Sequence, residues 1–176
     1  MTILIKILLA IVSIIVILLI VALFTRKAYN VQREIIINAP LQKTFDYLKH
    51  LRNQDNFNKW VMVDPAMKRD FKGTDGTVGF IYAWNGNKKA GEGEQEIEAI
   101  DEGKKIKTEV RFVRPFAGIA HADMTTEFIS DNQTKVNWNN SSEIKFPMNI
   151  MIPVIEKMLA KDMDASLNNL RVILER

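Results

Sequence analysis

The chain has 176 residues, of which 47% are hydrophobic, a length that supports one domain with a core and is too short for two ordinary domains. Its formal net charge is only +3 and no polybasic run is interleaved with aromatic residues, so we expect no nucleic acid partner. The sequence contains no cysteine, which excludes disulfides and thiolate metal ligands.

The N-terminal stretch is almost continuously apolar. Every residue from 7 to 24 except Ser13 is Ala, Val, Ile, Leu or Phe, and a helix of that length spans roughly 27 Å, close to a bilayer core. A cleaved signal peptide is the alternative, but its apolar region is shorter, roughly 7 to 15 residues, and precedes a cleavage site that is absent here. The pattern predicts a membrane anchor over residues 1–26 and a domain over residues 27–176.

Basic residues flank the apolar stretch unequally. Arg26, Lys27 and Arg33 follow it, whereas only Lys6 and the amino terminus precede it. Because the cytoplasmic flanks of membrane segments are enriched in lysine and arginine, this asymmetry favours a cytoplasmic C-terminal domain. We therefore expect a single-pass membrane protein whose domain lies on the cytoplasmic side.

A strand and two short helices are predicted next. Residues 29–38 are rich in β-branched side chains and predict a strand that begins almost directly after the membrane segment. Pro40 fits the first turn of a helix whose apolar side includes Phe45. Residues 53–61 predict a second, short helix, with Phe57 among its buried side chains.

The apolar pattern then changes from a period of three or four residues to a period of two. This alternation predicts consecutive antiparallel strands over residues 80–84, 91–100, 105–114, 120–130 and 134–146. With a loop at residues 101–104, Ile100 faces Lys105, which separates a charged outer face from a mixed apolar inner face. The same register sets Glu96 opposite Glu109, a like-charge pair that a single β-bulge would relieve.

The last stretch, residues 148–176, predicts a long amphipathic helix. Its apolar side chains recur every three or four positions and form one stripe. They are Met151, Ile155, Met158, Leu159, Met163, Leu167, Leu170 and either Ile173 or Leu174. Pro153 is tolerated only near the start of a helix, so residues 146–152 are candidates for a separate, mobile lid.

Several short motifs occur along the chain in a definite order. They are REIIINAP at residues 33–40, KTFDYL at 43–48, GTVG at 76–79 with Trp84, GEG at 91–93, TKVNW at 134–138, and a terminal helix ending near Asn169. In this order they resemble the polyketide cyclase/dehydrase proteins of the START-like (SRPBCC) superfamily, and specifically a membrane-anchored subgroup. The resemblance covers residues 29–176.

The resemblance implies an α+β helix-grip fold, in which a curved antiparallel sheet wraps around the long C-terminal helix. It also implies a cavity between sheet and helix that holds an apolar or amphipathic small molecule. The candidate ligand-binding residues are the predicted inward-facing ones: Phe80, Tyr82, Trp84, Gln95, Ile97, Phe112, Met124, Phe128, Trp138, Met151, Ile155 and Met158. For each of them, packing in a filled core is the alternative interpretation.

Three functions follow from these features. We favour a membrane-tethered binding module for a lipid or another small hydrophobic ligand. The second is a polyketide cyclase/dehydrase-like enzyme that uses polar cavity residues, although no catalytic pair is identifiable; the weak candidates are Tyr82, Gln95, His121 and Asp123. The third is an interaction or stress-response module without a ligand.

Cofactor chemistry has no support in the sequence. His50 and His121 are the only histidines, and no HExxH or comparable spacing occurs. The GEG motif lacks the third glycine and the following helix of a dinucleotide loop. We expect neither a metal nor an organic cofactor, and the sequence leaves the oligomeric state open.

Overall fold

The computed structural model describes residues 2–176, and this part of the chain forms five α-helices and seven strands. The helices are α1 (Ile3–Phe24), α2 (Leu41–Lys49), α3 (Gln54–Phe57), α4 (Lys59–Met62) and α5 (Ile152–Leu174). The strands are β1 (Ala28–Ile37), β2 (Lys68–Lys72), β3 (Ile81–Asn85), β4 (Glu92–Asp101), β5 (Lys105–Arg114), β6 (Gly118–Ser130) and β7 (Gln133–Glu143). Two 3₁₀ turns cover Leu51–Asn53 and Met148–Met151.

The strands form one curved antiparallel sheet in the order β1-β7-β6-β5-β4-β3-β2. α5 lies against its concave face beside β1, and α2 packs near the other end of the same face. This confirms the predicted α+β helix-grip fold. β1 and β7, at opposite ends of the folded sequence, are hydrogen-bonded neighbours, so the sheet ties the first strand to the segment that leads into α5.

Apart from Lys6 and Ser13, α1 consists of apolar residues, and almost all of its side chains are exposed. It is long and apolar enough to cross a membrane, although a signal sequence would have the same properties. Only residues 25–27 separate it from β1, as the sequence predicted. The buried side chain of Asn149 donates to the carbonyls of Ala22 and Thr25, at 2.7 and 2.9 Å, and so satisfies groups that the helix end leaves unpaired.

One end of the sheet lies beside the C-terminus of α1, and we call it the α1 end. β1 starts there at Ala28, opposite Glu143 of β7. Antiparallel pairing brings the β5–β6 turn (residues 115–117) and the β3–β4 turn (residues 86–91) to this end as well. The β4–β5 and β6–β7 turns lie at the opposite end.

The β4–β5 register differs from the prediction on one side of a β-bulge. The predicted pairs hold from Gly93 to Ile97, but the ladder then skips Glu98, and Ile100 pairs with Ile106. The predicted pairing of Ile100 with Lys105 is therefore wrong. The bulge leaves Glu96 opposite Glu109, so it does not relieve that like-charge contact.

Two other local predictions need correction. The single helix predicted over residues 53–61 is instead the two short helices α3 and α4, with Asn58 between them capping α4 through a bond from Trp60 N. β2 was not predicted, because this five-residue edge strand consists of four charged residues and Phe71 and so shows little of the apolar alternation that marks a strand.

The core lies between the concave face, α2 and α5. Its largest fully buried side chains include Phe45, Phe80, Ile97, Leu167 and Leu170. Toward the α1 end, the inner faces of β5 and β6 carry a separate small cluster of Val110, Ala120 and Ala122. The filled core therefore covers only part of the concave face, and the uncovered part forms the wall of a cavity.

Candidate ligand-binding cavity

A cavity of about 940 Å³ lies between the sheet, the α3–α4 segment and the middle of α5. Its floor is the inner face of β3 to β7, and Met158, Leu159 and Ala165 of α5 form part of the opposite wall. Most of its lining residues are apolar. Its volume is near the upper end of the range typical of small-molecule sites, about 300 to 1,000 Å³.

Small side chains create this space. Ala122 lies on the floor and Ala165 on the α5 wall. Gly93 lies opposite Trp84 in the β3–β4 ladder, and a Cβ atom at Gly93 would stand 2.7 Å from the Trp84 ring and 2.6 Å from the carbonyl oxygen of Arg111. Glycine is therefore required there for the indole to approach the backbone of β4 this closely.

All three tryptophans of the chain line the cavity. Trp60 stands edge-on to Trp138 with ring centroids 5.6 Å apart. Trp84 stands edge-on to Phe112 at 6.1 Å. Trp60 Nε1 donates to Asp162 and Trp84 Nε1 to the carbonyl of Ala90, both at 3.1 Å. These bonds fix two of the indoles as rigid aromatic walls.

Trp138 differs from the other two tryptophans. Its side chain is only 2% exposed, and its Nε1 has no hydrogen-bond partner among residues 2–176. A buried indole N–H usually finds an acceptor. The Trp138 Nε1–H is thus a buried donor in the cavity wall that lacks a hydrogen-bond acceptor.

A chain of hydrogen-bonded amides crosses the inner end of the cavity. Asn58 donates to Gln54 at 2.8 Å, Gln54 donates to Gln95 at 3.1 Å, and Gln95 donates to Thr108 at 2.9 Å. Thr108 in turn donates to the carbonyl of Ala122. Because these groups satisfy one another, Gln95 is positioned by the protein rather than left free to act on a ligand.

Tyr82 forms a second polar group with Asp55 and Arg69. Its hydroxyl donates to Asp55 at 2.5 Å and accepts from Arg69 at 3.0 Å, while Arg69 also lies 3.0 Å from the Asp55 carboxylate. Burial, followed by the neighbouring Asp55 carboxylate, raises the pKa of Tyr82 above its usual value. The hydroxyl therefore stays protonated into the alkaline range and has the role of a structural donor to Asp55.

The mouth of the cavity is marked by its exposed lining residues. Lys89, Arg114 and Pro115 lie at the turns of the α1 end, and Met62 and Met158 lie on the helices across from them. The Arg114 guanidinium bonds to Glu92 at 2.7 Å, whereas no carboxylate among residues 2–176 lies within 4.0 Å of Lys89 Nζ. The apolar interior of the cavity thus opens through a mouth that carries positive charge.

Six of the twelve predicted ligand-binding residues line this cavity. They are Tyr82, Trp84, Gln95, Phe112, Trp138 and Met158. Phe80 and Ile97 are instead fully buried in the core, where Ile155 also packs. Met124 is buried in the core too and borders a second void of only about 10 Å³.

Phe128 and Met151 are exposed and do not line the cavity, so the structure does not support these two predictions. Phe128 is 60% exposed, because the end of the β6–β7 hairpin extends beyond the helices that cover the concave face. Met151 is exposed because the chain forms a 3₁₀ turn before α5, which gives the buried position to Ile152. None of residues 146–152 lines the cavity, and the mobile lid there stays a prediction.

Two of the weak catalytic candidates lie outside the cavity. Along β6 the buried residues are Ala120, Ala122 and Met124, so the intervening His121 and Asp123 point to the convex face. Asp123 forms an ion pair with Lys105 at 2.8 Å. Neither side chain can act on a molecule held between the sheet and α5.

One group of side chains among residues 2–176 has the spacing to hold a metal ion. Ligand atoms of Glu98, Glu109 and His121 lie within 4.8 Å of one another on the convex face. Lys107 already neutralises Glu98 at 3.4 Å, and Arg111 binds Glu109 at 2.7 Å. The group is thus an outer-face charge network, remote from the cavity.

Several lining residues escaped the sequence prediction. Ala122 and Ala165 are too small to suggest a site, although their smallness creates it. Asp162 accepts a hydrogen bond from Trp60, which lies about a hundred residues away in the sequence, whereas Asn58 bonds to the nearby Gln54. Only Asn58 carried a local signal, since asparagine is a preferred N-cap residue.

No protein-family model and no curated protein matches the chain. Solved structures do match it. Norcoclaurine synthase from Thalictrum flavum, in complex with dopamine and hydroxybenzaldehyde, superposes with a TM-score of 0.63 over 88% of this chain and 91% of its own, at 13% identity. The chain has the helix-grip fold.

Two further structures support this assignment. The Aha1 dimer from Colwellia psychrerythraea matches with a TM-score of 0.59 at 17% identity, covering 84% of this chain and 96% of its own. Ara h 8.0201 matches at 0.54 and 14% identity, covering 81% and 98%. These neighbours have the fold of the START-like superfamily, and at such low identities they establish the helix-grip fold alone.

Proposed function

We propose that the chain is a membrane-tethered binding module for a lipid or another small hydrophobic ligand, which it holds between the sheet and α5. The observation that carries the proposal is the cavity of about 940 Å³, with its apolar lining and polar mouth. Sites of this size and composition typically enclose small hydrophobic molecules. The proposal also places the chain in a membrane-anchored subgroup of the START-like superfamily.

The cavity suits a ligand with an apolar body and one polar end. Trp60, Trp84 and Trp138 offer flat aromatic walls to an apolar body, and Met158 offers a flexible thioether that adapts to its shape. Lys89 at the mouth of the cavity favours a ligand with a negatively charged or strongly polar head group. A fatty acid or a lipid with an anionic head fits both requirements.

Tethering keeps this cavity close to a bilayer. The linker of residues 25–27 and the bonds from Asn149 to the end of α1 leave little freedom between α1 and the domain. The basic residues Arg26 and Lys27 directly after α1 support a cytoplasmic location for the domain.

A fluorescence titration tests ligand binding. Because all three tryptophans line the cavity, a brominated fatty acid that enters it should quench most of the intrinsic tryptophan emission. The variant Ala122→Phe, which places a ring on the cavity floor, should weaken this binding at least about tenfold, equivalent to about 1.4 kcal/mol.

Ala99→Phe is the matched control, because Ala99 lies exposed on β4, outside the cavity lining. It should bind like the parent chain. Unquenched emission in the parent chain, or equal quenching in both variants, would show that the ligand does not occupy this cavity.

The enzymatic alternative has less support. Tyr82 and Gln95 lie on neighbouring strands, but each bonds to other partners rather than to the other. His121 and Asp123 point away from the cavity. The module without a ligand is also disfavoured, because a filled interior would leave no void of this volume.

A further inference from the structure

The α1 end of the domain exposes large apolar side chains on two adjoining segments. The β5–β6 hairpin exposes Val113, Phe116 and Ile119, and the Phe116 side chain is 72% exposed. The segment between β7 and α5 exposes Phe146 and Met148. Apolar side chains concentrated at one end of a domain mark an interaction surface, and these five define what we call the apolar rim.

The apolar rim lies where α1 leaves the domain. Ile144, directly after β7, donates from its backbone N to the carbonyl of Lys27 at 2.7 Å. Asn149, between Met148 and α5, holds the carbonyls of Ala22 and Thr25. β6 runs next to β7 and carries the β5–β6 hairpin to the same end. A membrane crossed by α1 would therefore lie against this end of the sheet.

The charge of this end suits a membrane surface. Lys27, Lys88, Lys89 and Lys145 all lie in its connecting segments, and among residues 2–176 no carboxylate is within 4.0 Å of their amino groups. Basic side chains beside exposed apolar ones are the combination that binds the interface of anionic bilayers. Each lysine close to such a surface adds to the attraction.

We infer that the apolar rim docks onto the membrane that α1 enters, so that the cavity opens toward the bilayer and takes its ligand from it. This inference rests on the proposed function, since it requires α1 to span the membrane. Phe112, Arg114 and Pro115 line the cavity and belong to the same hairpin as Phe116. Insertion of Phe116 therefore brings the mouth to the level of the lipid headgroups, and the ligand is a membrane lipid.

The absence of cysteine allows a direct test with the full chain. Phe116→Cys and Met148→Cys each place one thiol on the apolar rim, and Asp131→Cys places one on the exposed β6–β7 turn at the opposite end. Each variant is labelled with an environment-sensitive fluorophore. It is then reconstituted into vesicles of phosphatidylcholine with a minority of phosphatidylglycerol, with or without lipids that carry a nitroxide quencher.

Docking predicts that labels at positions 116 and 148 are quenched at least about twofold more than the label at position 131, because interfacial segments lie about 5–10 Å within the headgroup region. Removing phosphatidylglycerol should reduce this quenching. Quenching at the level of position 131 for either rim position overturns the inference that both segments form one docked surface.

Lipid extraction from the same samples separates the two proposals. Bound lipid together with unquenched labels at positions 116 and 148 rejects docking and leaves the proposed function intact. A chain that does not float with the vesicles rejects the tether, and with it both proposals. Thermal unfolding of each variant, compared with the parent chain, shows whether the exposed substitutions leave the fold unchanged.

Discussion

Arg111 lies among three carboxylates on the convex face of the sheet. Its guanidinium nitrogens are each 2.7 Å from an oxygen of Glu94, Glu96 or Glu109. Hydrogen bonds with these carboxylates raise the pKa of Arg111 above the already high value of an ordinary arginine. The like-charge contact of Glu96 with Glu109 is thus relieved by a shared cation and not by the expected bulge.

We predict that Arg111→Gln lowers the free energy of unfolding by about 1–2 kcal/mol, because three partly exposed ion pairs are lost and three carboxylates then repel one another. Thermal unfolding of the full chain in lipid nanodiscs measures the change. Adding Glu109→Gln to this variant should restore part of the stability. An unchanged midpoint for Arg111→Gln would contradict this account of the convex face.

Tyr82 gives a pH-dependent prediction. Its pKa is raised in the folded chain by burial and by Asp55, whereas an unfolded tyrosine ionises near its ordinary value of about 10. Its contribution to stability is therefore complete below about pH 10 and is lost as the pH rises from there toward the raised folded pKa.

Tyr82→Phe should cost about 1 kcal/mol at neutral pH, because Asp55 and Arg69 lose a hydrogen bond. It should also make the fall in thermal midpoint above about pH 10 shallower than in the parent chain. The fall should not vanish, since burial raises the pKa of Tyr29 as well. Identical pH profiles for variant and parent would refute the role assigned to Tyr82.

At the scale of elements, Asn149 joins α1 to the domain. Its side chain is fully buried and bonds to two carbonyls at the end of α1. Asn149→Ala should leave those carbonyls without a partner, at a cost of roughly 1–3 kcal/mol. We expect faster proteolysis at residues 25–27 in nanodiscs.

Asn168→Ala is the control for this prediction, because Asn168 makes its hydrogen bond to Asp164 on the exposed face of α5. It should leave the cleavage rate unchanged. Equal cleavage of the parent chain and of Asn149→Ala would mean that Asn149 does not hold the junction.

Most elements could be predicted from the sequence because their side chains repeat with a clear period. β4 to β7 alternate with a period of two, and α5 repeats every three or four residues. β2 shows little apolar alternation because it is a short charged edge strand. The start of α5 was misplaced because a 3₁₀ turn shifts the phase of its apolar stripe between Met151 and Ile152.

The cavity was less predictable than the sheet. The alternation correctly predicted that Tyr82, Trp84 and Trp138 face inward, but it does not distinguish a filled interior from a cavity. That difference depends on small residues on separate elements, such as Ala122 and Ala165, and on the distance between β6 and α5. Both are tertiary properties that no local pattern of residues reports.

At the scale of the whole molecule, the basic residues after α1 predict that the domain lies on the cytoplasmic side of the membrane and the N-terminus on the outer side. Thr2→Cys and Lys104→Cys place single thiols at exposed positions before α1 and at the far end of the domain. In intact cells, a membrane-impermeant maleimide should label position 2 and should reach position 104 only after lysis. The reverse pattern would put the domain on the outer side of the membrane.

Native mass spectrometry of the full chain, purified from the membranes in which it was made, tests the cavity most directly. The account predicts a fraction of the protein with the added mass of one lipid or fatty acid, which is lost in Ala122→Phe and retained in Ala99→Phe. A parent chain that carries no added mass, even after incubation with a panel of lipids and fatty acids, would contradict it.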